Sequence, residues 1–325
     1  KMVLLIKNGC VMNPAGGFEG VADVLIGDGK VWKIGKGIEL EEELAKKGKE
    51  TEEVVAIDAE GKVVAPGLVD VHVHFRDPGF TYKEDILSGA RAAARGGFTT
   101  VVLMANTKPP VDCEEILEYV LEKGAGTGIR VESCGNITLG MKGKELTDMA
   151  GLAEAGAAGF TDDGVPILDE AVVKSACEEA ARLGKPLSFH EENPAFIKNN
   201  GVNAGKAAEY YGIGGSDRRA EIWMVERDLA LAEGTGAEVS IQHISTKEAV
   251  ELVREAKKTN PHIHAEATPH HFTLTEEAAI TYGALAKMNP PLREEADRMA
   301  IIEGLKDGTI DMIATDHAPH SREEK

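Results

Sequence analysis

"DVHVHFRDPG", residues 70–79, sets two histidines two positions apart at the end of an apolar run and follows them at once with an arginine. Side chains alternate faces along a strand, so His72 and His74 point the same way if this run is one. Taken alone the pair reads equally well as two hydrogen-bonded histidines in or near a core. The rest of the chain has to decide.

From residue 66 onward, short β-branched runs alternate with helix-length stretches rich in Ala, Glu, Lys and Leu, the pattern of repeated βα units on a parallel sheet. Strands are expected at 68–74, 99–105, 129–138, 157–163, 186–192, 238–245, 262–268 and 310–316. Helices fall between them, among them "KEDILSGARAAARGG", "DEAVVKSACEEAARLG" and "STKEAVELVREAKKTN". Eight such units over some 250 residues predict an α/β TIM (β/α)8 barrel. Residues 1–65 have another texture: short strands joined by Gly, Asn and Asp turns, with "DGK" and "EGK" as expected hairpin tips. They predict the N-terminal part of a small β-sandwich domain, with the barrel spanning 66–325. The run "IELEEELAKKGKETEE" is expected to be a solvated surface segment. The chain stops a few residues past the eighth strand, so a version lacking a closing helix and the C-terminal partner of the β module is expected.

Composition excludes several classes. The chain has 325 residues, 36 basic against 55 acidic, for a net charge of -19. Nucleic acids and anionic membrane surfaces both need a cationic footprint, so neither is an expected partner. No apolar run approaches the length of a membrane helix, and no signal peptide is evident. Four widely spaced cysteines form no CxxC pair, which fits free thiols in a reducing, cytoplasmic compartment. An anionic substrate would be opposed by the global field and would need a local cluster of positive charge.

The ends of the other strands change the weight of the opening pair. Strand four ends in Asp162 and Asp163, strand five in His190, strand six in His243 and strand eight in Asp316. With His72 and His74 these sit at the C-terminal ends of barrel strands, where such folds build their sites. Imidazole nitrogens and carboxylate oxygens are zinc ligands. Four histidines with Asp163 and Asp316 exceed one tetrahedral shell, leaving room for one or two zinc ions.

The segments "PGLVDVHVHFRDPG", "VVLMANTKPP", "GFTDDG", "SFHEEN", "QHIS", "ATPHHF", "KMNPPLR" and "IATDHAPHS" resemble class I, bacterial-type dihydroorotases of the amidohydrolase superfamily. The resemblance implies that His72, His74 and Asp316 hold the more buried zinc and that His190 and His243 hold the second. Strand four lacks the lysine that bridges the ions in several branches, so Asp163 is the implied bridge, with Asp162 the weaker alternative. It also implies the reversible interconversion of N-carbamoyl-L-aspartate and L-dihydroorotate in pyrimidine biosynthesis. A zinc ion lowers the pKa of bound water to about 7, and Asp316 is implied as the catalytic acid and base. Arg76 can offer a planar fork to the substrate carboxylate; its bland reading is a loop salt bridge to Asp77. Asn106 and His320 complete the implied carboxylate pocket, and Asn289 contacts the ring. A homo-oligomer is the expected state, and a complex with aspartate transcarbamoylase is a further implied partner.

Two rivals differ in stated ways. Hydantoinases, dihydropyrimidinases and allantoinases take rings that can lack the carboxylate, leaving Arg76 nothing to grip. A catalytically idle subunit of an aspartate transcarbamoylase complex would usually lose metal ligands, and none is lost here. Glu191 is open between a role behind His190 and plain exposure. His262 and His264 lie at the start of strand seven, away from the site, while His270 and His271 are expected to pack in a loop. "YGIGGSD" departs from the dinucleotide pattern and reads as a loop into the helix "RRAEIWMVERDLALAEG".

Overall fold

The computed structural model describes residues 2–49 and 52–325, in two compact units, Lys1–Leu68 and Val69–Lys325. No helix among the described residues is long and apolar enough to cross a membrane.

The smaller unit is a five-stranded sheet built from β1 (Val3–Asn13), β2 (Phe18–Gly27), β3 (Lys30–Gly35), β4 (Val54–Asp58) and β5 (Val63–Val64), in the order β3-β2-β1-β4 with β5 also on β1. Burial alternates along β1 at Val3, Leu5, Gly9 and Val11, and the period slips where Asn8 takes φ 62 and the register with β2 shifts. "DGK" is a hairpin tip. Asp28 and Gly29 take φ 52 and 74, and Gly27 pairs with Lys30; a two-residue turn with both central φ positive matches the strand twist. "EGK" is not one. It does turn, with Lys62 N–H donating to the Ala59 carbonyl at 2.9 Å, but β4 and β5 both run parallel to β1. The chain bulges outward there and rejoins the same edge instead of reversing. The charged run forms a helix over Leu40–Lys47 that buries Leu44 and anchors Glu43 on Lys33 at 2.6 Å, so it is only partly a solvated face. Its residues 50 and 51 lie outside the described residues.

The larger unit is α/β with parallel pairing. Its strands are β6 (Leu68–Val73), β7 (Phe98–Leu103), β8 (Arg130–Ser133), β9 (Leu187–Phe189), β10 (Val239–Ile241), β11 (Ile263–Ala267) and β12 (Met312–Ile313). They make sheets ordered β6-β7-β8 and β12-β11-β10-β9. Single parallel bridges join them at both ends: Gly135 to Phe160 and Phe160 to Leu187 on one side, Val73 to His317 on the other. The pairings therefore run through all the strands and return to β6. Between strands lie helices such as Ile86–Arg95, capped by Asp85 and Ser88, and Glu170–Leu183, capped by Asp169 and ended by Gly184 at φ 64. Val101, Ile137, Phe160, Leu187, Val239, Ile241 and Ile263 form the buried interior.

Strands are shorter than the sequence predicts, and the expected strand at 157–163 survives only as the bridges of Phe160. The reason is visible at their C-terminal ends, where side-chain carboxylates take over backbone hydrogen bonds. Asp162 accepts from the N–H groups of Ile137 and Thr138, Glu221 from Ser245 and Thr246, Asp70 from Thr315, and Glu266 from His243. Buried backbone donors must find partners; here carboxylates supply them, and the chain leaves the ladder to present side chains.

Candidate metal centre

His72 and His74 leave the end of β6 on one face, with Nε2 atoms 3.2 Å apart. Asp316, two residues beyond the β12 edge interaction of Ala314, brings Oδ1 to 3.4 Å from His72 Nε2 and 3.1 Å from His74 Nε2. Asp163 stands between two groups of nitrogens. Its Oδ2 lies 3.4 Å from His74 Nε2, while Oδ1 lies 3.5 Å from His72 Nε2, 3.6 Å from His190 Nδ1 and 3.8 Å from His243 Nε2. His190 Nδ1 and His243 Nε2 are themselves 2.9 Å apart. The donor atoms thus form overlapping sets, His72/His74/Asp163, His72/His243/Asp316 and Asp163/His190/His243, each compact enough to hold a metal ion. The buried Asp163 Oδ1 has no hydrogen-bond partner. Buried carboxylate oxygens are rarely left so, and a cation held between the two groups of nitrogens fits that oxygen.

The imidazoles are aimed by groups behind them. His72 Nδ1 lies 2.5 Å from Glu266 Oε1, His74 Nδ1 lies 3.0 Å from Asn106 Oδ1, and His190 Nε2 lies 3.1 Å from Glu192 Oε2. A ring nitrogen that donates backward leaves the other nitrogen facing the centre, where a metal would take the place of its proton. Asn106 also donates Nδ2–H to Asp163 Oδ2 at 3.1 Å, tying His74 to Asp163. Burial would depress His72 and His190, but the surrounding carboxylates win: Glu266, Asp163 and Asp316 hold His72 at about 10, and Asp163 and Glu192 hold His190 at about 10. Reciprocally, burial raises Asp163 and Asp316 while His72 and its neighbours hold both well below the usual carboxylate range.

Asp162 is separated from its neighbour by function. Its oxygens accept from Ile137, Thr138 and Asn136, so it braces a loop while Asp163 faces the centre. Glu191 is neither exposed nor on the rim. It is 2 % exposed, and burial beside Asp228 pushes its carboxyl well up.

A cavity of about 810 Å³ opens above the centre, and Arg76, Asn106, Asn289 and His320 all line it together with His74, Asp163, His190, His243 and Asp316. His72 lies beneath, fully buried. Arg76 does not pair with Asp77, whose carboxylate is taken by Tyr119 and Lys123, each at 2.9 Å. Its Nε donates to the Pro319 carbonyl at 3.2 Å and its Nη2 stands 3.4 Å from His320 Nε2. Burial and the adjacent Arg76 lower His320. His270 and His271 are in a helix, Pro269–Thr273, and not a loop. His271 is held by Thr268 and the Pro290 carbonyl, whereas His270 lines the cavity and burial pushes it down to about 4.

Sequence reasoning missed Glu266 and Glu192. Glu192 had a signal, since residues two apart share a strand face and it follows His190 by two. Glu266 had a weaker one, as a lone carboxylate inside an otherwise apolar strand end.

A family model described as Dihydro-orotase-like matches residues 61–249. The chain is 55% identical over 323 residues to the dihydroorotase of Clostridioides difficile (strain 630), covering 99% of this chain and 74% of that protein. It is 44% identical to the dihydroorotase of Aquifex aeolicus (strain VF5), with the same coverage. Among solved structures, an L-hydantoinase (dihydropyrimidinase) from Arthrobacter aurescens superimposes with a TM-score of 0.79 at 25% identity, over 99% of this chain and 70% of that one. A dihydropyrimidinase from Brevibacillus agri NCHU1002 shares the fold, with a TM-score of 0.78 at 22% identity over 98% of this chain and 69% of that one. Identity of this degree over nearly the whole chain, with every aimed imidazole in place, establishes the lineage: the protein belongs to the dihydroorotase family.

Proposed function

We propose that this chain is a zinc-dependent dihydroorotase, interconverting N-carbamoyl-L-aspartate and L-dihydroorotate in pyrimidine biosynthesis. One observation carries the reading: a guanidinium free of any carboxylate partner among the described residues, Arg76, lines the same cavity as the nitrogen and oxygen donors. A cyclic amide bearing a carboxylate satisfies both features. The donor set of imidazoles and carboxylates suits zinc, and Asp163 reaches both groups of nitrogens, its Oδ1 lying within 3.5 to 3.8 Å of His72, His190 and His243. The circuit of parallel pairings that returns to β6 supports an eight-stranded barrel as the scaffold, with the five-stranded unit as part of a β-sandwich.

When bound, divalent cations at this centre acidify water and polarise a carbonyl oxygen. The chain's residues do the remainder. Arg76 binds the substrate carboxylate through its planar fork, and His320 stands beside it as a neutral neighbour. Asn289 meets the ring from the same cavity. Asp316 starts as the carboxylate, accepts the proton of the attacking water during ring opening, and delivers it to the departing ring nitrogen; ring closure runs the transfers backward.

Assay of the purified protein with both substrates, alongside elemental analysis, tests this. Turnover of dihydroorotate and carbamoyl aspartate with bound zinc is expected. Turnover of hydantoin or dihydrouracil without either would overturn it.

A further inference from the structure

Of the three lysines that line the cavity, Lys325 donates to the Lys287 carbonyl at 3.3 Å, while the side chains of Lys198 and Lys287 have no place in the chemistry above. Lys198 and Lys287 both line the cavity, and each lies in a groove that a glycine leaves open. A Cβ on Gly214 would come within 2.5 Å of Lys198 Cβ and 2.9 Å of its Cδ; one on Gly201 would come within 2.6 Å of Lys287 Cγ and 3.0 Å of its Cε. The stems are therefore laid along the wall by backbone that has room for nothing larger. Neither ammonium has a carboxylate within 4.0 Å among the described residues. The acids that share the cavity are already engaged: Asp163 and Asp316 face imidazoles, Glu192 holds His190, and Glu324 pairs with Lys83 at 2.9 Å. In a chain of net charge -19, two pinned and uncommitted cations in the substrate cavity call for a reason.

We infer that Lys198 and Lys287 form a cationic collar that draws the doubly charged open-chain substrate into the cavity against the negative field of the protein. This rests on the function proposed above, because the two substrates differ in charge: carbamoyl aspartate carries two carboxylates and dihydroorotate one. Coulomb energy scales with ligand charge, so the collar's effect on a dianion is the square of its effect on a monoanion. Both are screened as the Debye length falls below about 10 Å near 0.1 M salt.

The test is the zinc-loaded protein with Lys198→Met and Lys287→Met combined, which keeps the stems and removes the charge. At low ionic strength the KM for carbamoyl aspartate is expected to rise about tenfold and that for dihydroorotate about threefold. The ratio of kcat/KM in the two directions must stay fixed, since the overall equilibrium sets it. Both effects fade at high salt, and Lys198→Arg with Lys287→Arg restores the original values. Equal shifts in the two KM values, or none, would overturn the collar while leaving the dihydroorotase reading intact. Failure of the unaltered protein to turn over either substrate would overturn both.

Discussion

Both ends of the parallel strands carry histidines beside carboxylates, yet the two ends are built to opposite purposes. At the C-terminal ends, His72, His74, His190 and His243 are buried, the rings of the first three are backed by Glu266, Asn106 and Glu192, and all four face Asp163, whose Oδ1 has no partner. At the N-terminal ends, His262 Nδ1 and His264 Nε2 reach the two oxygens of Glu238 at 2.6 and 2.8 Å, and Lys257 meets Asp311 at 2.7 Å. There every group is half-exposed and satisfied. The same residue types therefore do not mark a metal centre. What distinguishes the C-terminal cluster is a partner behind the ring, Glu266, Asn106 or Glu192, which leaves the other nitrogen facing a shared centre.

The contrast can be broken most severely at the front of the centre. Asp316→Ala is expected to lower kcat by on the order of 10³ or more with the circular dichroism spectrum unchanged; near-normal turnover would remove Asp316 from the proton path. The next effect concerns the carboxylate behind the ring. Glu266→Gln keeps the shape but withdraws the charge that orients His72, and metal affinity should fall about tenfold or more, read by competition with a chelator. Arg76→Lys should raise KM about tenfold with a smaller change in kcat, because a point cation cannot reproduce the fork; an unchanged KM would exclude Arg76 from substrate binding.

The smallest effect belongs to the opposite end. Hydrogen bonds from His262 and then His264 hold Glu238 below its ordinary value. A depressed carboxyl stabilises the fold above its unfolded pKa and loses that contribution as pH falls through the folded one. Glu238→Gln should therefore cost only a few tenths of a kcal/mol at pH 6, as befits an exposed pair, and nothing in strong acid, with kcat unchanged. A loss of metal affinity in this variant would erase the distinction between the two ends.

How far this was readable in the sequence depends on what each residue's role needs. His72, His74, His190, His243 and Asp316 were legible because strand alternation and strand-end position are local properties. Asp163 against Asp162 was decided only by which carboxylate the 136–138 loop consumes. Glu266 was illegible because its partner is His72, 194 residues away. The "EGK" turn was visible, but the direction of the strand after it depends on a shared edge with β1, which no local pattern encodes. Strand lengths were overestimated for a related reason: apolar alternation continues past the point where Asp70, Asp162, Glu221 and Glu266 capture the backbone.

Arg76, His243 and Asp316 take φ of 62, 30 and 49, a region that charges side chains bearing a Cβ about 1–2 kcal/mol each. Glycine or asparagine would relieve the backbone at all three positions and empty the cavity of what it needs. Under the function proposed above, breeding this protein for heat resistance alone would therefore press hardest on three residues of its working cavity, and a thermostable descendant should be sought in the small sheet and the outer helices.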